Sequence, residues 1–221
     1  MSKITEFRGS GVVVQFDEAR CLHAGACIQG APQIFDIHGR PWIRPERGDA
    51  ALIIDVVARC PSGALAVRYE DGRAAEALPA ANIARLVPGG PVYLHGNLQV
   101  CDGEGKRLLE TTRAALCRCG HSSNKPWCDN SHQARPFEDD GTFAADASIA
   151  ESSAEDASAA TQPLTVTVFA NGPAQCDGPL TITDAFGEVA WRGTQCWLCR
   201  CGASQNKPFC DGSHKTSGFT G

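Results

Sequence analysis

Residues 117–132 read Cys-Arg-Cys-Gly-His-Ser-Ser-Asn-Lys-Pro-Trp-Cys-Asp-Asn-Ser-His, and residues 199–214 read Cys-Arg-Cys-Gly-Ala-Ser-Gln-Asn-Lys-Pro-Phe-Cys-Asp-Gly-Ser-His. Each holds three cysteines and one histidine at the same spacing: Cys117, Cys119, Cys128 and His132 in one, Cys199, Cys201, Cys210 and His214 in the other. The likeness extends outward. Residues 110–132 align without gaps to residues 192–214, offset by 82, with 14 of 23 positions identical. In Cys-x-Cys both thiolates can turn to one metal if the backbone bends, and Gly120 and Gly202 supply that freedom. Pro126 and Pro208 fix the approach to the third cysteine. Asp129 and Asp211 are expected to cap a short helix whose first turn carries the histidine. Zinc accepts such a ligand set in closed tetrahedral sites, and a two-iron, two-sulfide cluster can take the same four ligands, two per iron. Spacing leaves both open.

The composition frames this motif. The chain has 221 residues and 12 cysteines, net charge -5 and a sequence pI of about 5.7. An acidic chain with scattered Lys and Arg argues against a nucleic-acid partner. No run of about 18 apolar residues occurs, so no membrane-spanning helix is expected. The N-terminus lacks an apolar stretch behind a basic start and is not expected to be a signal peptide. Grouped cysteines in a reducing, cytoplasmic compartment point to metal ligation or catalysis.

Four segments follow: an N-terminal domain over residues 1–75, a first cysteine module over 88–137, a connector over 138–162 and a second module over 163–221. In the connector 19 of 25 residues are Ala, Ser, Asp or Glu and none is Lys or Arg. It is expected to be flexible, with local order around Phe143 and Ile149. Strand-like runs lie at 92–94, 108–116, 164–169 and 180–183. Two repeated halves are expected to pair about a pseudo-twofold axis and bury faces that one half leaves open. In the N-terminal segment, residues 12–16 and 65–69 read as strands. Residues 50–59 read as a helix capped by Asp49, with Leu52, Ile53, Val56 and Val57 as its apolar stripe.

The two cysteine motifs resemble the CDGSH iron–sulfur domain family, to which mitoNEET belongs. Residues 210–214 carry its signature letter for letter, and Asn130 replaces Gly212 in the other copy, at a turn position that Asn tolerates. Arg-Cys-Gly, Asn-Lys-Pro and Gly218-Phe219 also resemble the family. The resemblance implies a [2Fe-2S] cluster at each site, held by three Cys and one His. It further implies a monomer in which two modules share a β-sandwich as an intramolecular dimer. A ligand His in place of Cys leaves a cluster less negative and easier to reduce. It also couples potential to pH.

The N-terminal segment carries Cys21, Cys27 and Cys60, the last followed by Pro61. Residues 17–27, 31–35 and 60–65 resemble divergent single-cluster bacterial ferredoxins, which implies an α+β ferredoxin-like domain. Four-iron members have a cysteine where Ala24 stands. Three thiolates suffice for a [3Fe-4S] cluster, the first choice. A [4Fe-4S] cluster with water or His23 on the fourth iron is the alternative. The whole chain is thus read as α+β.

Cys101 and Cys176 each open a Cys-Asp-Gly triplet and, with Cys196, read as buried small residues or turn positions. His121 corresponds to Ala203 and is not expected to ligate. His38 and His95 are expected in surface turns. Lys125 and Lys207 stand beside the third cysteine as candidates for charge compensation, and Trp127 and Phe209 are expected to pack over the site. No catalytic constellation appears: there is no nucleophile elbow, phosphate loop or dinucleotide fingerprint. The expected function is electron transfer between redox protein partners, a reductase and an acceptor, and the chain is not expected to be an enzyme. Cluster donation or redox and iron sensing, and a zinc-bound interaction module, are the competing readings.

Overall fold

The structure is a computed structural model and describes residues 3–135, 137–143 and 162–221. The chain divides into two compact units, Met1–Ala77 and Leu78–Gly221. Among the described residues, no helix is long and apolar enough to cross a membrane.

The first unit is built on a three-stranded antiparallel sheet ordered β1 (Ile4–Gly9), β2 (Val12–Asp17), β3 (Leu65–Tyr69). Strand β1 is missing from the sequence reading. Its side chains are mostly exposed, so no apolar alternation marks it. The local signal is Ser10-Gly11, both at positive φ (53° and 76°), as a tight two-residue hairpin turn requires. Helix α1 (Ala26–Gly30) is short. Helix α2 (Ala50–Ala58) lies where the sequence places it, and the Asp49 carboxylate accepts from the Leu52 N–H at 2.8 Å. Losing such a cap costs about 1 kcal/mol. Ile53, Val56 and Val57 pack with Val14, Ile34, Phe35, Leu65 and Val67 into one core.

Among its described residues the second unit holds six strands: β4 (Ile83–Leu86), β5 (Val92–Asp102), β6 (Arg107–Leu116), β7 (Leu164–Val168), β8 (Ala174–Thr183) and β9 (Val189–Leu198), with a one-turn helix α3 (Ser131–Ala134). Shifted by 82 residues, β4, β5 and β6 fall on β7, β8 and β9. Each triplet pairs antiparallel internally: β4 with β5 and β5 with β6, then β7 with β8 and β8 with β9. The first strand of each triplet then pairs parallel with the long strand of the other. Residues 83–85 of β4 run beside 181–183 of β8, and β7 runs beside 98–102 of β5. The register of β5–β6 shifts between His95 and Leu98, and that of β8–β9 between Asp177 and Leu180, the same place in both copies. There each long strand changes partner. The exchange lets Leu86, Leu94, Leu98, Leu116, Leu164, Ile182 and Leu198 share one core.

Several local expectations change. Strand β4 begins before residue 88, so the first triplet starts earlier than the motif suggests. His95 is exposed but lies on β5, not in a turn. The two Cys-Asp-Gly triplets are not structural equivalents. Cys101 is the penultimate residue of β5, whereas Cys176 lies inside β8 opposite Cys196. Under the 82-residue shift these last two replace Leu94 and Ala114, which also face each other, and all four are buried. The acidic connector holds fixed contacts at its start. The Asp139 carbonyl accepts from the Gly89 N–H at 2.6 Å, and the Phe143 ring meets Phe209 edge-on at 6.0 Å. Average composition does not register single residues that find buried partners. Ile149 lies outside the described residues.

Candidate metal centres

Each module site forms where a strand end meets a loop that folds back on it. Cys117 and Cys199 follow directly on β6 and β9. The Cys117 N–H donates to the Pro126 carbonyl at 2.9 Å, and the Cys128 N–H to the Ala115 carbonyl at 3.0 Å. In the second module the Cys199 N–H donates to Pro208 and the Cys210 N–H to Trp197, both at 2.8 Å. Inside each loop a buried serine closes the turn: Ser122 Oγ donates to the Trp127 carbonyl and Ser204 Oγ to that of Phe209. The third cysteine is thereby held over the first two.

The donor atoms fall into pairs. Cys117 and Cys119 place their Sγ atoms 3.6 Å apart, as do Cys199 and Cys201. Cys128 Sγ stands 3.5 Å from His132 Nδ1, and Cys210 Sγ 3.3 Å from His214 Nδ1. Donors sharing one tetrahedral metal, at about 2.3 Å for sulfur and about 2.0 Å for nitrogen, stand about 3.8 Å (S···S) or about 3.5 Å (S···N) apart. Each pair therefore fits one metal. Among the described residues, no three His, Cys, Asp or Glu side chains converge on a point that one ion could occupy.

The short helical turn after the third cysteine starts one residue later than expected. Asn130 and Gly212 are its caps, both left-handed (φ 67° and 89°). Asp129 and Asp211 instead tie the turn to the preceding loop. One carboxylate oxygen of Asp129 accepts from the Ser131 N–H and the other from the Ser123 N–H, and Asp211 does the same with Ser213 and Gln205. Those bonds hold both carboxyls below the ordinary range; burial opposes them at Asp129. Backbone N–H groups also point at the sulfurs: His121 at Cys119 (3.4 Å), Asn130 at Cys128 (3.5 Å) and Gly212 at Cys210 (3.4 Å). The His121 ring is exposed and stands outside the ligand set. Trp127 and Phe209, expected to pack over the site, pack on the sheet core. Lys125 and Lys207 donate to the Ser122 and Ser204 carbonyls, at 2.6 and 2.7 Å.

Burial raises the thiols of Cys128 and Cys199 to about 11. A hydrogen bond from Cys119 lowers Cys117 to about 6, and Cys119 is raised in turn. Soft metals bind the thiolate, so loading these sites displaces protons. Two buried arginines answer the negative charge. Arg118 and Arg200, 4% and 3% exposed, lie between the paired cysteines of each module, and each keeps a buried N–H, Nη1 or Nε, without an acceptor among the described residues. An unanswered buried donor is costly, and an anionic thiolate-bound cluster beside it offsets that cost. The residues fit the group.

The N-terminal site draws on three elements. Cys21 follows a 3-10 turn (Glu18–Arg20) capped by Asp17, Cys27 lies on α1, and Cys60 follows α2. All three line one cavity of about 290 Å³, with His23, Trp42 and Ser62 on its wall. His23 takes a left-handed backbone (φ 51°), and its Nδ1 is 4.0 Å from Cys21 Sγ. Burial raises the thiols of Cys21 and Cys27, and the charge of Cys60 adds to it.

A family model described as "Divergent 4Fe-4S mono-cluster" matches residues 7–70, and one described as "Iron-binding zinc finger CDGSH type" matches residues 89–133 and 171–215. The "Uncharacterized protein YjdI" of Escherichia coli (strain K12) is 38% identical over 64 residues, 29% of this chain and 84% of that protein. The protein of the same name from Escherichia coli O157:H7 gives the same figures. No solved structure matches. The chain therefore carries a divergent 4Fe-4S mono-cluster domain at residues 7–70, followed by two iron-binding domains of the CDGSH type at residues 89–133 and 171–215.

Proposed function

We propose that the chain is an electron-transfer protein carrying three iron–sulfur clusters. Two are of the [2Fe-2S] type, one held by Cys117, Cys119, Cys128 and His132 and the other by Cys199, Cys201, Cys210 and His214. The grouping of donors into two metal-sized pairs per module carries this reading. A lone zinc ion needs four mutually adjacent donors, whereas a two-iron cluster needs two pairs. The exchanged strands support a pseudo-twofold, sandwich-like pairing of the modules within a monomer.

The third cluster belongs to Cys21, Cys27 and Cys60. Three thiolates around one cavity suit a [3Fe-4S] cluster, and a [4Fe-4S] cluster with water or His23 on the fourth iron is the alternative. When bound, the clusters supply one-electron chemistry. The protein's residues bury the thiolates, place N–H groups on the sulfurs and keep the second histidine nitrogen for a proton. The partners are redox proteins, a reductase and an acceptor in the cytoplasm.

Cluster donation is the second reading. His132 and His214 are half-buried on single helical turns, whereas most of the module cysteines are buried. The histidine side is thus the open one. Metal and sulfide analysis with EPR of anaerobically purified protein tests the first reading. It expects iron and sulfide for two two-iron clusters and one three-iron cluster, with reversible reduction. Colourless protein with stoichiometric zinc contradicts it, and fast handover to an apo-ferredoxin favours donation.

A further inference from the structure

In the modules, backbone N–H groups point at the ligand sulfurs, those of His121, Asn130 and Gly212. In the N-terminal unit a side chain takes up the same position. Ser62 Oγ lies 3.7 Å from Cys60 Sγ. Ser62 is 3% exposed and lines the same cavity as Cys21, Cys27 and Cys60.

Three hydrogen bonds hold the serine in place. The Gly63 N–H donates to the Cys60 carbonyl at 3.2 Å and closes the turn that carries Ser62. The buried Arg20, next to Cys21 in the chain, donates from Nη2 to the Ser62 carbonyl at 2.7 Å. The Ala64 N–H donates to Ser62 Oγ at 3.3 Å. The hydroxyl oxygen thus already accepts, and its own proton is left for an acceptor. A buried hydroxyl that finds none is costly, and Cys60 Sγ supplies one. A ligand cysteine is a thiolate with no proton to give, so in the loaded site the bond runs from Ser62 to the sulfur.

We propose that the Ser62 hydroxyl, through its bond to Cys60 Sγ, raises the reduction potential of the N-terminal cluster. This rests on the iron–sulfur reading of Cys21, Cys27 and Cys60. Hydrogen bonds to the sulfurs are among the features that set such potentials. The ligand sulfur carries more negative charge in the reduced form, so the hydroxyl stabilises that form more than the oxidised one. Reduction adds one electron from an external reductant, and no bond is made or broken. Ser62 acts through Cys60, as a positioning residue and not as a ligand.

The test is the potential of the N-terminal EPR signal, measured anaerobically in the full chain; that signal is the one Cys60→Ala removes. Ser62→Ala keeps the carbonyl that Arg20 binds and removes the hydroxyl. It is expected to make the N-terminal cluster about tenfold harder to reduce, a fall of about 59 mV for a one-electron couple. Both module potentials are expected to stay where they are. Ser62→Thr keeps a hydroxyl and is expected to hold the wild-type value. Ser62→Val differs from that variant by a methyl in place of the hydroxyl and is expected to fall as Ser62→Ala does. An unchanged or higher potential in Ser62→Ala overturns the inference. Equal potentials in Ser62→Thr and Ser62→Val overturn it as well, and that pair decides even if Ser62→Ala binds no cluster. Loss of the N-terminal signal in all three variants assigns Ser62 to the fold alone and also overturns it. Absence of that signal from the wild-type chain instead overturns the reading on which the inference rests.

Discussion

The Nζ of Lys125 in the first module stands 5.7 Å from the centre of the Phe219 ring in the tail of the second, and Lys207 stands 5.8 Å from Phe137 in the tail of the first. Each ring also carries the arginine of its own module, Arg200 over Phe219 at 5.4 Å and Arg118 over Phe137 at 5.3 Å. Each phenylalanine therefore links two cations from different modules. Half-exposed cation–π contacts contribute about 0.5–1 kcal/mol. Lys125→Ala is expected to cost about that much in a denaturant melt of the module signal, and Lys125→Arg to restore it.

Histidine ligation, as proposed, sets an acid limit. Burial holds the His132 imidazole below its ordinary range, with Asp129 opposing. The open chain therefore takes up the proton first, as pH falls through about 6.5. The contribution of the neutral ring is present above that pH and is lost as pH falls through the lower value in the folded protein. Visible cluster absorbance is expected to decay below about pH 6.5. In His132→Cys the first-module site is expected to resist acid and to titrate at a lower, less pH-dependent potential. An unchanged potential in that variant shows that His132 is not a ligand.

Cys176 and Cys196 face each other inside the sheet, where the other module has Leu94 and Ala114. The double variant Cys176→Leu, Cys196→Ala copies that pair and is expected to keep full iron content. Its stability is expected to change by less than about 1.5 kcal/mol, as volume-conserving core swaps do. Loss of iron would assign these thiols a role in a cluster.

Cys60 belongs to the first compact unit and the module sites to the second. Cys60→Ala is expected to abolish the EPR signal of the N-terminal cluster and to leave both module signals in place. Iron analysis should fall by one cluster only.

The sequence shows the site more fully than the fold. Ligand spacing, the 82-residue repeat, the Asp49 cap and the left-handed Asn130 are local features, and local chemistry announces them. Strand β4 and the parallel pairing of β7 with β5 are not legible, because their partners lie in the other module and no local pattern encodes that choice. Strand β1 is hidden because its faces are exposed. Asp139 is hidden for a different reason: it sits in an Ala, Ser and acid-rich stretch, and its importance comes from the single buried guanidinium it meets. That guanidinium is Arg118, 2.9 Å from the Asp139 carboxylate.

Anomalous-difference maps at the iron edge, from crystals of the full chain grown without air, test the central claim most directly. The account expects two resolved iron peaks in each module, one beside the cysteine pair and one beside the cysteine–histidine pair. A single peak per module that follows the zinc edge would contradict it.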